Sequence, residues 1–470
     1  MNHPDEKILE LYILGAKQDP DQRSAIETHL KGCDGCSALF REMKQYYGDV
    51  AVLQEQKDRA LTLRSMIVSV PPFVRAGVLH ETPKTLPARV VLFVMKHPAI
   101  ASISLFAMAL GMVLLMVPRS VEKDANPSYA RAKNEFLIVY NKNGEELWRK
   151  HVGVAYDVEK FLYQLSQNPE RALTTVDVDG DGKNEVLAIF GWTEFPPGIS
   201  LKNTIMCYNA DGTERWRYEF HRQMTFGKKS FSDDYKVVLM MAGDFDRDGK
   251  CEVVAAVWHT PSWPCAIIRL DAATGALTGE FWHAGWLHSV DHKDIDGDGV
   301  EELLFAGENN AFNLASIVVL DPRTIEGYAP ATNEYIPEGV KTGRDKYFLL
   351  FPRSDVGTLA PHPRNVATEL NLKSDGSTEV NFGERFSNSE SYNLYTYFDG
   401  SMKCIRVIPN DDFILFHRRM EAEGKLSKKI DDKYLEELRQ GFQYWNGEKF
   451  VHEPTMNKRY LETLENQPLP

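Results

Sequence analysis

The chain has 470 residues, enough for two or three folded units. Its hydrophobic content of 43% and charged content of 26% exclude wholesale disorder. The net charge is −13 and six cysteines are too few for a disulfide scaffold of this size. Charge is nearly balanced through residue 97, so the acidic excess lies beyond it and argues against direct nucleic-acid binding there.

In chain order, a helix is predicted from about Asp5 to Gly15. Asp19-Pro20 then reads as an N-cap with proline at the first helical position, opening a second helix through about Leu30. Gly32 breaks it. A third helix begins near Cys36, with Leu39, Met43, Tyr47 and Val50 recurring on one face. His29 therefore ends one helix, and Cys33 and Cys36 open the next. A tight turn between them can bring one imidazole and two thiolates to a tetrahedral Zn2+ ion. A fourth ligand is needed, and His3 is the candidate. The plainer alternative is a redox pair or two unlinked thiols.

Residues 98–117 carry no charged side chain and are rich in Ala, Ile, Leu, Met and Val. As a helix they would extend roughly 30 Å, the thickness of a hydrocarbon core. A transmembrane helix is expected, the alternative being a buried core helix. The position, far from the polar N-terminus, excludes a cleaved signal peptide. Arg59, Arg64 and Arg75 tilt the basic balance towards a cytoplasmic N-terminus. Metal chemistry points the same way, since thiolate zinc suits a reducing interior and weak oxygen-only loops a calcium-rich exterior.

Beyond the apolar stretch lie three loops of the form Asp-x-Asp-x-Asp-Gly-x-x-Glu. Their acids are Asp177, Asp179, Asp181 and Glu185; Asp244, Asp246, Asp248 and Glu252; and Asp294, Asp296, Asp298 and Glu302. Alternating carboxylates converge when the chain curls around a hard cation, and glycine at the sixth position permits the bend. An EF-hand would close with an acid at position twelve, which here holds Ala188, Ala255 and Phe305. The closing acid is instead the glutamate at position nine, and each loop runs straight into a predicted strand. The alternative for a single such loop is a solvated acidic turn.

Hairpins alternate with the loops: Phe136–Trp148 around Asn143-Gly144, Ile205–Tyr218 around Asp211-Gly212, and Ile267–Phe281 around Thr274-Gly275. A weaker copy runs Ile317–Gly327, and another hairpin, Leu394–Val407, follows a degenerate acidic loop with Lys373 in a ligand position. Lys425 to Gln440 reads as a surface helix. Acidic loop, strand and hairpin thus form a repeat that needs neighbours to bury its faces, which a propeller supplies.

The N-terminal triplet, with its short helices and the apolar stretch beyond, resembles the zinc-associated anti-sigma domain of membrane-anchored anti-sigma factors. That resemblance implies His3 as fourth zinc ligand and a sigma factor as the partner clasped by the helices. The acidic loops and their strands resemble the FG-GAP and VCBS repeats of integrin-alpha-type β-propellers. There the resemblance implies Ca2+ held by the carboxylates and a backbone carbonyl, with loops of one face binding a partner.

The expected fold is multidomain: a small all-α zinc domain over 1–60, a juxtamembrane linker over 61–97, one transmembrane helix over 98–117, a linker over 118–132 and an all-β propeller over 133–460. No nucleophile or paired-carboxylate constellation suggests an enzyme; His283, His288 and His292 read as satisfied or exposed loop histidines. The expected function is that of a single-pass bacterial inner-membrane anti-sigma-like regulator. Its zinc domain would be cytoplasmic and its calcium-binding sensor periplasmic or extracellular, with membrane lipid and an exterior ligand or protein as further partners. The alternative is a membrane-anchored exterior binding or adhesion protein whose zinc domain is only an assembly module.

Overall fold

The computed structural model describes residues 20–33, 36, 37, 40, 124–152, 169–191, 200–361, 363–387 and 391–466. The chain divides into two units, Met1–Pro118 and Arg119–Pro470. In the first, helix α1 (Pro20–Gly32) begins at the proline and ends at the glycine that the sequence marks. The predicted helix over 5–15, the bulk of the helix after Cys36, and His3 lie outside the described residues.

The second unit is built from sheets taken up in series, each beginning as an antiparallel meander. The first sheet holds strands 129–133, 136–140 and 146–151; the second holds 173–176, 185–189, 204–208 and 214–219. The third comprises 235–243, 252–259, 265–271 and 277–283, and the fifth 365–372, 378–385, 391–398 and 404–409. Between them, the fourth starts with 287–293, 302–309 and 314–320, then adds 347–350, 443–445 and 450–451. The leading strand of each sheet lies beside the leading strand of the next, from 129–133 through to 365–372. A succession of meander sheets with neighbouring first strands is a β-propeller-like arrangement.

The strand pattern explains why the sheets need one another. Strand 302–309 is buried along its whole length, and alternate side chains serve different cores. Leu303 and Phe305 join the core shared by the first four sheets, whereas Leu304 and Ala306 join a second core with the fifth sheet. Val318 and Leu320 against Ile317 and Val319 repeat the division one strand over.

Two tryptophans join sheets in register. Trp148 Nε1 donates to the Ala210 carbonyl at 2.9 Å, and Trp216 Nε1 to the Ala272 carbonyl at 2.8 Å. Each ring lies on the hairpin glycine of the following sheet. A Cβ on Gly212 would meet the Trp148 ring at 2.8 Å, and one on Gly275 the Trp216 ring at 2.7 Å. Both glycines also have left-handed backbone, at φ +83° and +73°. Asn-Gly, Asp-Gly and Thr-Gly therefore mark the turns, and the latter two also the seats of the neighbouring ring.

Several expectations are corrected. The unit beyond residue 118 is mostly β but not all-β, because it carries α2 (Asp411–Ala422), α3 (Asp432–Gln440) and α4 (Lys458–Asn466). Helix α2 is capped by Asn410, and α3 by Asp431. Half-buried Asp355 anchors both, accepting from Tyr434 Oη at 2.7 Å and pairing with His417 Nε2 at 3.2 Å. The weak hairpin over 317–327 is not one: strand 326–328 leaves its own sheet and pairs in parallel with 277–283. The stretch 98–117 lies outside the described residues, and among the described residues no helix is long and apolar enough to cross a membrane. Among the described residues nothing supports the expected transmembrane helix or the single-pass inner-membrane placement. Apolar length is a necessary condition for a span.

Gly275→Ala places a methyl group into the Trp216 ring and a side chain at positive φ. The variant is expected to lose about 1–3 kcal/mol of stability, read as a lower midpoint in urea unfolding of the full chain. An unchanged midpoint would show that the ring does not depend on this seat.

Candidate metal centres

Each acidic loop connects the first and second strands of its sheet, so all three occur at equivalent places in the repeat. The same hydrogen bonds shape them. The first aspartate accepts from the sixth-position glycine: Gly182 N to Asp177 at 2.9 Å, Gly249 N to Asp244 at 3.1 Å and Gly299 N to Asp294 at 3.0 Å. The closing glutamate accepts from the second-position amide: Val178 to Glu185 at 3.1 Å, Phe245 to Glu252 at 3.1 Å and Ile295 to Glu302 at 2.9 Å. The fourth residue turns left-handed in each loop, even where it is Arg247 rather than glycine. The three glutamates are buried at 2%, 7% and 0% exposure, which aims them into their loops.

Ligand atoms within 4.8 Å of one another are brought together by Asp244, Asp246, Asp248 and Glu252, the full predicted set. The other two loops gather three acids each: Asp177, Asp179 and Glu185, and Asp294, Asp296 and Glu302. Asp181 and Asp298 instead stand at the loop tips, where Asp181 accepts from Lys183 N at 2.8 Å and Asp298 from Val300 N at 2.8 Å.

The loops differ in what neutralises them. In the second sheet, Arg215 Nη2 bonds Asp179, and its Nη1 lies 3.4 Å from Glu185. This guanidinium holds the Asp179 carboxyl below its usual range. In the fourth sheet, Lys346 Nζ lies 2.7 Å from both Asp296 and Glu302. In the third sheet the corresponding region has Arg269, which turns away to bond Thr278 Oγ1 at 3.0 Å and the Pro322 carbonyl. Among the described residues no arginine or lysine pairs with Asp244, Asp246 or Glu252; only Lys250 reaches Asp248, at 3.4 Å on the exposed rim. Burial, reinforced by Asp246 and Asp248, pushes Glu252 up to about 7. Burial likewise raises Asp246. Arg269 acts on Asp246 and Glu252 only from a distance and makes no ion pair with them, so this convergent set of hard oxygen donors fits a divalent cation such as Ca2+.

In the N-terminal unit, ligand atoms of His29, Cys33 and Cys36 also lie within 4.8 Å of one another. The end of α1 supplies the imidazole, and a turn in which Ser37 N donates to the Cys33 carbonyl at 3.0 Å carries the thiols. All three are half-buried. Burial raises the Cys36 thiol, and the adjacent Cys33 raises it further. Two thiols and an imidazole at this separation fit Zn2+.

The remaining cysteines are free, with burial pushing Cys207, Cys251, Cys265 and Cys404 up to about 12. The histidines are set in separate surroundings. His283 is buried and donates from Nδ1 to the Gly285 carbonyl at 3.0 Å; burial lowers it to about 4. His288 lies edge-on to Trp258, and burial lowers it to about 3. His292 is half-buried and pairs with Glu301 at 2.6 Å.

No protein-family model matches this chain, and no curated protein matches it. Among solved structures, the Pseudomonas aeruginosa PilY1 C-terminal domain is similar at 12% identity and a TM-score of 0.31, covering 58% of this chain and 57% of that one. The Dos1 propeller is similar at 9% identity and a TM-score of 0.27, covering 61% and 63%. A GH43 β-1,3-galactosidase, BT3683, solved with galactodeoxynojirimycin, is similar at 9% identity and a TM-score of 0.22, covering 51% and 93%. The chain thus spans less than two thirds of the first two, and the β-propeller-like assignment rests on the strand order itself.

Folded Glu252 holds its proton more tightly than a free glutamate, about 7 against 4.5. In the metal-free protein its contribution to stability is therefore full below 4.5 and is lost as pH rises through about 7. A cation needs the ionised carboxylate, so the rise in melting temperature on adding Ca2+ should shrink from about pH 8 to about pH 5. A calcium-induced rise that stays constant across that range would contradict the Glu252 assignment.

Proposed function

We propose that the chain is a regulatory binding protein with two metal-braced modules, and that it is not an enzyme. The β-propeller-like unit receives a ligand or protein, with Ca2+ stiffening the acidic loop of its third sheet. The N-terminal unit uses Zn2+ to fix the turn between two helices that hold a protein partner. A sigma factor is the partner that the anti-sigma resemblance names.

One observation carries the reading: His29, Cys33 and Cys36 bring their ligand atoms within 4.8 Å of one another at the end of helix α1. Such a turn has too little apolar surface to hold itself, and a metal bond supplies the missing constraint. The converging carboxylates of the third sheet support the companion role of a stiff binding scaffold.

A second reading is favoured by the size of the β unit: the chain is a binding or adhesion protein whose zinc turn only assists assembly. The tagged full chain separates the two. Under the regulatory reading it should recover a sigma factor, and Cys33→Ser should lose that factor along with the zinc. Recovery unaffected by Cys33→Ser, or no sigma factor with either protein, would favour the assembly reading.

A further inference from the structure

The acidic loop of the fourth sheet carries its own cation. Lys346 precedes strand 347–350, far along the chain from residues 294–302, yet its ammonium bridges Asp296 and Glu302 at 2.7 Å each. It is 1% exposed and Glu302 is fully buried. Its backbone is fixed on both sides, with Lys346 N donating to the Val319 carbonyl at 2.8 Å and Asn457 N donating to the Lys346 carbonyl at 3.1 Å.

The C-terminal segment seals this arrangement. Tyr460 of α4 lies under the ammonium at 5.7 Å and donates from Oη to buried Asp321 at 3.0 Å. Asp321 in turn is gripped by Arg323 at 2.6 Å, and the same guanidinium lies 3.7 Å from Asp298. Two positive side chains thus stand against the four acids of this loop. A divalent ion entering here would meet an ammonium already bridging two of its ligands, with an aromatic ring behind blocking withdrawal.

The fifth sheet repeats the substitution by another route. There the degenerate loop places Lys373 Nζ 2.7 Å from Glu379, the counterpart of the closing glutamate. The third sheet shows the contrast: four converged acids, with Arg269 bonded elsewhere and no cation bridging them among the described residues.

We infer that Lys346 is a built-in replacement for the metal, so that the loop Asp294–Glu302 is a cation site by sequence that takes no calcium in the folded protein. The inference rests on the reading that acidic loops of this kind are cation sites. The metal specificity of the third and fourth sheets is then set by a residue outside the loop: a lysine delivered at the start of the fourth strand makes the site self-sufficient, and its absence leaves a calcium site.

The test counts calcium bound per full-length chain by equilibrium dialysis against calcium alone. Glu302→Gln should bind as many ions as the unmodified protein while melting at a lower temperature, whereas Glu252→Gln should bind one fewer. Lys346→Gln should bind one more and should recover its lost melting temperature when calcium is added. Loss of an ion in Glu302→Gln, or a folded Lys346→Gln that gains none, would overturn the role of Lys346. If Lys346→Gln does not fold, the Glu302→Gln count alone still decides. A Glu252→Gln protein that keeps its full count would overturn the cation-site reading beneath the inference, a separate outcome from failure at Lys346.

Discussion

Carboxylates drawn into one tight turn repel one another, and burying the closing glutamate removes the water that would screen them. Each acidic loop of the β unit meets this constraint, and three of the sheets supply a positive side chain, each in its own way. Arg215 serves the second sheet, Lys346 the fourth and Lys373 the fifth. The third sheet has converging acids and no equivalent side chain among its described neighbours, so a cation from solution completes it best. The repeat therefore conserves an electrostatic requirement while varying the group that meets it. A protein side chain makes a permanent contact, whereas an ion makes one that depends on concentration and pH.

The same economy runs through the packing. Sheets of three to six strands cannot bury both faces alone, and strands 302–309 and 314–320 show the solution by sending alternate residues into two cores. Tryptophans and turn glycines then lock neighbours together in the first three sheets. Beyond them the pattern is replaced: Arg269 reaches the Pro322 carbonyl, strand 326–328 crosses back, and the C-terminal helix braces the fourth sheet. The metal-like loops sit at strand junctions, where fixing one turn fixes the register of two strands.

Local chemistry was legible in the sequence wherever the partners lie close along the chain. Asp19-Pro20 and Gly32 bracket α1, the Asn-Gly, Asp-Gly and Thr-Gly turns fall between paired strands, and position-nine glutamates close the acidic loops. Lys373 was visible as a substitution because it sits inside its loop. Lys346, Arg215 and Tyr460 were not, since their partners are brought to them only by the fold. The 317–327 segment was misread for a similar reason: its second half pairs with a strand of another sheet. Helix α2 was missed because its buried Phe413, His417 and Met420 make a short stripe in a mixed sequence. The apolar run over 98–117 lies outside the described residues, so the topology drawn from it, from the arginine balance and from the metal motifs has no described helix behind it.

Crystals grown with calcium and measured at a wavelength where calcium scatters anomalously would test the electrostatic account most directly. The account predicts an anomalous peak among Asp244, Asp246, Asp248 and Glu252, with the Lys346 ammonium and no peak between Asp296 and Glu302. A peak at the fourth-sheet loop with Lys346 displaced, or an empty third-sheet loop at saturating calcium, would contradict it.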